Sequence, residues 1–140
     1  MYRDLLQPEI PVDNNKIWCM KIPLKIKIFA WYLRRGLILT KDNLIKRNWH
    51  GSPQCVFCHH DETLKHLFFQ CKFARSIWLV IQVAFGLYPP CSVANIFNNW
   101  LHGINHKIRT LLRVGALAVI WSLWLSRNDK IFNAKITSFL

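Results

Sequence analysis

Carboxylates are scarce in this sequence: seven Asp and Glu stand against nineteen Lys and Arg, for a formal charge of +12. The seven are Asp4, Glu9, Asp13, Asp42, Asp61, Glu62 and Asp129, and only Asp61 and Glu62 are adjacent. So few acids leave little material for paired-carboxylate metal catalysis. The adjacent pair reads as a solvated turn that lends acids to a helix N-terminus. Glycine is also thin, and neither a Gly-rich phosphate loop nor a nucleophile elbow occurs. No apolar run follows a basic cap at Met1-Tyr2-Arg3-Asp4, so a signal peptide is not expected. No apolar run reaches the roughly 20 residues that span a bilayer. The nearest, Leu111 to Leu125, contains Arg113 and reads as a buried, central helix, which makes a membrane partner unlikely. There is no internal repeat and no low-complexity tract.

What the chain does have is apolar mass. Hydrophobic residues make up 52% of its 140 residues, with seven Trp and nine Phe, enough for one domain with a packed core. The positive charge is concentrated. Nine basic residues lie between Lys16 and Arg47 against the single acid Asp42. Eight of them, Lys21, Lys25, Lys27, Arg34, Arg35, Lys41, Lys46 and Arg47, are candidates for phosphate contact in RNA or DNA. Trp18, Phe29, Trp31, Tyr32 and Trp49 are interleaved with them, a mixture that suits backbone contact plus base stacking. The competing reading puts these aromatics in the core and leaves the lysines as a solvated face. For the aromatics, the core is the expectation.

Periodicity favours a mainly α fold. Residues 1–15, with Pro8 and Pro11, read as an extended lead-in. Lys21 to Ile28 alternates like a strand, but Leu24, Ile28, Trp31 and Tyr32 share a helical face, so a helix is predicted over 24–35, ended by Gly36. Thr40 is expected to cap a helix over 41–48 through its hydroxyl, and Gly51-Ser52-Pro53 to break it. Thr63 is expected to cap a turn carrying His66. Further helices are predicted from Lys72 to near Gly86, from Ser92 or Asn95 through Leu101, and from Lys107 to Arg127. Residues 129–140 read as a frayed or linking end. The domain division is 16–88, with 89–128 as a helical extension packed on it.

Five cysteines, an odd number, argue against a disulfide framework and for a reducing, intracellular compartment, where clustered Cys point to metal. Three cluster with a histidine as Cys55-x2-Cys58-x7-His66-x4-Cys71. A Cys-x2-Cys turn offers two thiolates to one face of a tetrahedral ion, and a later segment must supply the other two donors. On an α-helix His66 and Cys71 would point about 140° apart at roughly 100° per residue, so the backbone is expected to bend between them. Three thiolates and an imidazole suit one Zn2+. With four protein donors the zinc would be structural, its net charge of about −1 offset by Lys65 and Lys72. The alternative is that these cysteines are small buried hydrophobes. His59 and His60 are second-choice ligands, and Cys19 and Cys91 are expected in the core.

The run KIPLKIKIFAWYLRRGLILTKDNLIKRNW, followed by CVFCHHDETLKHLFFQCKFARSIW, resembles the reverse-transcriptase zinc-binding domain of plant LINE-type retrotransposons. The most specific pieces are Cys55/Cys58, Glu62-Thr63, His66-Leu67-Phe68, Cys71, Ala74-Arg75 and Trp78. IWSLWLSRNDKIF at 120–132 resembles the segment that follows this domain, often ahead of an RNase H domain. Two positions depart from the family pattern, Leu39 before Thr40 and His59 after the second Cys. The resemblance implies zinc ligation by Cys55, Cys58, His66 and Cys71 in a non-catalytic module that contacts nucleic acid. Neither the polymerase aspartates nor the RNase H acids are present, so the chain reads as a detached piece of a retroelement. A lost neighbouring reverse-transcriptase or RNase H domain is then a possible partner. Nuclear residence fits such a product, although no basic localisation cluster is present. Two other readings stay open: a zinc-stabilised protein-interaction module and an inert remnant.

Overall fold

The computed structural model describes residues 17–139, with side chains through 132. The expected lead-in at 1–15 lies outside the described residues. Among the described residues the main elements are, in order, α1 (Leu24–Arg34), α2 (Lys41–Lys46), a π-turn (His66–Gln70), α3 (Lys72–Phe85), α4 (Val93–Phe97) and α5 (His106–Phe139). Among the described residues there is no strand, only an isolated antiparallel bridge between Gln54 and Asp61. The architecture is therefore the expected mainly α one.

Pro23 precedes α1, where its fixed φ costs no helical hydrogen bond. Gly36, at φ 69°, lets the chain turn out of the helix in the left-handed region. The buried face of α1 is Phe29, Ala30 and Leu33, not the predicted Leu24/Ile28/Trp31/Tyr32 face. Both faces are apolar, so periodicity could not rank them. The face that meets α5 is the buried one, and Leu24, Ile28 and Tyr32 are exposed.

Phe29 sits at the centre of the core, edge-on to Trp121 of α5 (4.9 Å, 70°) and to Phe68 of the π-turn (6.4 Å, 86°). Full burial of such a side chain contributes about 1.5–3 kcal/mol. Phe68, Leu67, Ile96, Phe97, Leu117, Ile120 and Leu123 complete the fully enclosed layer.

Helix α5 is longer and less enclosed than its sequence suggests. It continues past Arg127 to Phe139, through the segment predicted to fray. Neither Gly nor Pro follows Gly115 to stop it. It buries one stripe only, made of Arg113, Ala116, Leu117, Ile120, Leu123 and Arg127, while Ile108, Leu111 and Leu125 face outward. The expectation of a central, enclosed helix is thus corrected. Residues His106–Phe132 are long and apolar enough to cross a membrane, by length and composition.

The two arginines in the buried stripe answer specific polar groups. Arg113, 4% exposed, donates from Nε to the Ile96 carbonyl (2.9 Å) and from Nη2 to the Phe97 carbonyl (3.3 Å). Arg109 donates to the Asn98 carbonyl. These are the carbonyls that a short helix such as α4 leaves unpaired at its C-terminus, where cations are also favoured. Burial, with Arg109 nearby, lowers the pKa of Arg113. Of the two expected starts, Ser92 is the one that caps α4, accepting from the Asn95 amide, and the helix ends at Phe97 rather than Leu101.

Candidate metal centre and basic surface

Local hydrogen bonds shape the turn that carries the first two sulfurs. The Cys55 amide donates to the His60 carbonyl and the Glu62 amide to the Pro53 carbonyl, both at 2.8 Å. With the Gln54–Asp61 bridge, these bonds close a short loop that presents Cys55 and Cys58. Thr63 then does what its position predicts, accepting from the His66 amide at 3.0 Å.

The second pair of donors needs the predicted departure from α-helix. Between His66 and Gln70 the backbone widens into a π-turn, closed by the Cys71 amide donating to the His66 carbonyl at 2.7 Å. An i→i+5 bond brings residue 71 back over residue 66, which an α-helical turn does not do. Cys71 is then extended (φ −61°, ψ 143°) and leads directly into α3.

The donor atoms of Cys55, Cys58, His66 and Cys71 all lie within 4.8 Å of one another. Cys71 Sγ is 3.9 Å from both Cys55 Sγ and Cys58 Sγ. In a tetrahedral zinc site with Zn–S bonds of about 2.3 Å, the sulfurs stand about 3.8 Å apart. His66 Nε2 lies 3.0 Å from Cys58 Sγ, a hydrogen-bond contact somewhat tighter than a shared ion would leave. The four donors can therefore hold one metal ion with small side-chain adjustments.

The sulfurs are not equivalent. Burial pushes the Cys55 thiol up to about 12, against the lowering effect of the Phe57 amide, and the Cys71 and Cys58 sulfurs add to the rise. Burial also opposes ionisation of Cys58. Hydrogen bonds involving the His60 amide and the His60, His66 and Cys71 side chains outweigh it and bring that thiol down to about 6. His60 thus supports the cluster without being one of its four donors, its ring 5.7 Å from that of His66. His59 is exposed, and so are Cys19 and Cys91, which correct the expectation of core cysteines.

Glu62, beside the cluster, lies elsewhere than its sequence suggests. It is 1% exposed rather than part of a solvated turn. Its carboxylate accepts from Arg127 Nη2 (2.7 Å) and Nε (3.1 Å) and from the Lys41 amide (2.8 Å). It therefore supplies the cap of α2 that Thr40 was expected to supply. The Thr40 hydroxyl instead donates to the Asp42 carboxylate. One buried carboxylate joins the end of the Cys55–Asp61 loop to α2 and to α5. A signal for this was present: Arg113, Ile120 and Arg127 are spaced by seven, which places both arginines on the buried stripe.

The eight basic candidates divide. Lys21, Lys25, Lys46 and Arg47 are exposed. The other four are half-buried and engaged with the protein. Lys27 donates to the Trp18 carbonyl, Lys41 Nζ to the Gln54 carbonyl, Arg34 lies over Phe97 and Arg35 over Trp31. Of the interleaved aromatics only Phe29 is in the core. Trp18, Tyr32 and Trp49 are exposed and Trp31 is half-buried, which corrects the expectation that all five pack inside.

A family described as zinc-binding in reverse transcriptase matches residues 1–78. A protein of Arabidopsis thaliana named as a ribonuclease H protein is 25% identical over 84 residues, covering 56% of this chain and 14% of that protein. The chain thus spans about one seventh of the length of this relative. No solved structure matches it.

Proposed function

The chain belongs to the family of zinc-binding domains in reverse transcriptase, and from that premise we propose that it is a non-catalytic zinc module that contacts nucleic acid. Cys55, Cys58, His66 and Cys71 hold one zinc ion. Four protein donors fill its tetrahedron, so no position remains for water or substrate, and the ion acts as a staple between the Cys55–Asp61 loop and the start of α3. The helical extension 89–128 packs on the 16–88 segment and belongs to the same folding unit.

The nucleic-acid part rests on one observation. In residues 17–50, the basic side chains of Lys21, Lys25, Lys46 and Arg47 are exposed, as are Trp18, Tyr32 and Trp49. Cations there are available to phosphates and aromatic faces to bases. Titration of a labelled single-stranded oligonucleotide against salt tests this. Four phosphate contacts give a log–log slope near −2.8, at about −0.7 per contact on single strands. Reversal of Lys21 and Lys25 to Glu should weaken binding and flatten the slope, and absence of binding at low salt refutes the reading.

A second reading is favoured by a different observation. Between α3 and α5 lies a groove of about 210 Å³ walled by Ile81, Phe85, Tyr88, Trp100, Leu111 and Val119, with no charged residue in its lining. Tyr88 is 78% and Leu111 70% exposed. An uncharged aromatic groove of this kind suits protein contact, such as with a neighbouring domain of a longer retroelement protein. Phe85→Glu should abolish such docking and leave oligonucleotide affinity unchanged, measured by titrating both ligands against the same variant.

A further inference from the structure

A second groove lies on the neighbouring face of α3 and shares Trp78 and Pro89 with the uncharged one. It measures about 580 Å³ and opens to solvent, within the roughly 300–1,000 Å³ of small-ligand sites. One side of its lining is apolar, formed by exposed Leu79 and half-buried Pro89 over the edge of the buried Trp78, and Ser76 and Gln82 add polar groups. Its rim carries Lys72 and Arg75, both exposed, with Gln82 one turn beyond Leu79. Among the described residues, neither cation has an ion-pair or side-chain hydrogen-bond partner. Nothing nearby in sequence can supply one, because between Glu62 and Asp129 the chain contains no carboxylate side chain.

The groove is also held in shape. Trp78 Nε1 donates to the Phe68 carbonyl at 2.8 Å, and its ring stacks on Phe69 of the π-turn (6.2 Å, 6°). Lys72 follows Cys71 directly, so the candidate metal centre sets the position of the cationic rim.

We infer that this groove takes one nucleotide of a single-stranded nucleic acid, with its phosphate on Lys72 and Arg75 and its base against the Trp78–Leu79–Pro89 wall. The inference rests on the nucleic-acid reading above and assigns it a site outside the 21–47 run. Two free cations over an apolar wall match a ligand that is an anion at one end and a flat, weakly polar ring at the other. A base can reach such a wall only after leaving its stack, which single strands permit and duplexes resist.

The probe is a fluorescently labelled single-stranded oligouridylate, titrated by anisotropy at several salt concentrations against wild type, K72A/R75A, L79A and K21A/K25A. Loss of the two rim cations, which share one phosphate, should flatten the salt slope by about 0.7. L79A should weaken binding several-fold with the slope unchanged, because it removes wall and not charge. All substituted positions except Lys21 and Lys25 lie on the exposed side of α3, and circular dichroism checks that each variant keeps its helices. If K72A/R75A binds like wild type while K21A/K25A loses affinity, the groove assignment is overturned and the broader reading stands. If wild type does not bind at low salt, both fall. If duplex RNA or polyglutamate displaces the oligouridylate as well as unlabelled single strand does, the groove is a general polyanion or acidic-peptide site, and the nucleotide assignment is overturned.

Discussion

Replacing Arg127 by Met removes the charged partner that reaches the Glu62 carboxylate from α5. The side chains of Arg127 and Glu62 are 7% and 0% exposed, so water screens neither charge. An exposed ion pair contributes about 0–1 kcal/mol, whereas breaking a buried one from one side costs roughly 3–5 kcal/mol. The loss arises because the carboxylate stays buried with only the Lys41 amide to answer it. For a chain of this size, about 3–4 °C of Tm accompanies each kcal/mol. R127M should therefore melt roughly 10–20 °C lower by circular dichroism. The double variant E62L/R127M replaces both charges with apolar groups and should recover most of the loss, since well-packed apolar substitutes for a buried pair are often neutral. Glu62 also ends the loop that presents Cys55 and Cys58, so R127M should surrender its metal to a chelator faster than wild type. A cost of R127M below about 1 kcal/mol, or a double variant no better than the single, would refute the claim that this pair ties the loop to α5.

Native mass spectrometry should find one zinc per chain. C71S should lose it together with much of the folded state, in line with the ~10–16 kcal/mol apparent binding energies of structural zinc in finger peptides, while C19S and C91S retain it. In metal-free protein at pH 7, iodoacetamide should modify Cys58 before Cys55, because the Cys58 thiol lies at about 6 and the Cys55 thiol at about 12. The matching stability terms run in opposite directions. The Cys58 contribution is present above its ordinary value of 9.0 and fades as pH falls through about 6, whereas the Cys55 contribution is present below 9.0 and fades as pH rises through about 12. Equal alkylation rates across that range would contradict the asymmetry. R113M should destabilise by about 2–4 kcal/mol in urea unfolding, since it leaves the Ile96 and Phe97 carbonyls without donors. Hydrogen exchange in that variant should accelerate first in α4.

Residues close in sequence announced most of what they do. Thr63 and Ser92 cap as their positions suggest, Gly86 ends α3 at φ 67°, and the five-residue gap from His66 to Cys71 called for a backbone departure that the π-turn provides. Each of these depends on backbone geometry within one turn, which spacing encodes. Burial was harder to read. With 52% apolar residues, several helix faces are equally greasy, and no local rule says which one meets a partner. Trp18, Tyr32 and Trp49 were assigned to the core on residue type and ended outside it, while Glu62 was assigned to water and ended inside.

The four candidate metal donors and the turns that present them were therefore set by the order of residues alone, because ligand spacing and turn chemistry act over a few bonds. Which arginine would meet Glu62 across 65 positions, which face of α1 would close on Phe68 and Trp121, and which cations would remain free for a partner were decided only when the helices packed. Those choices depend on the one arrangement in which buried charges find each other and the largest rings share a single interior. No short window of sequence contains both sides of such a contact.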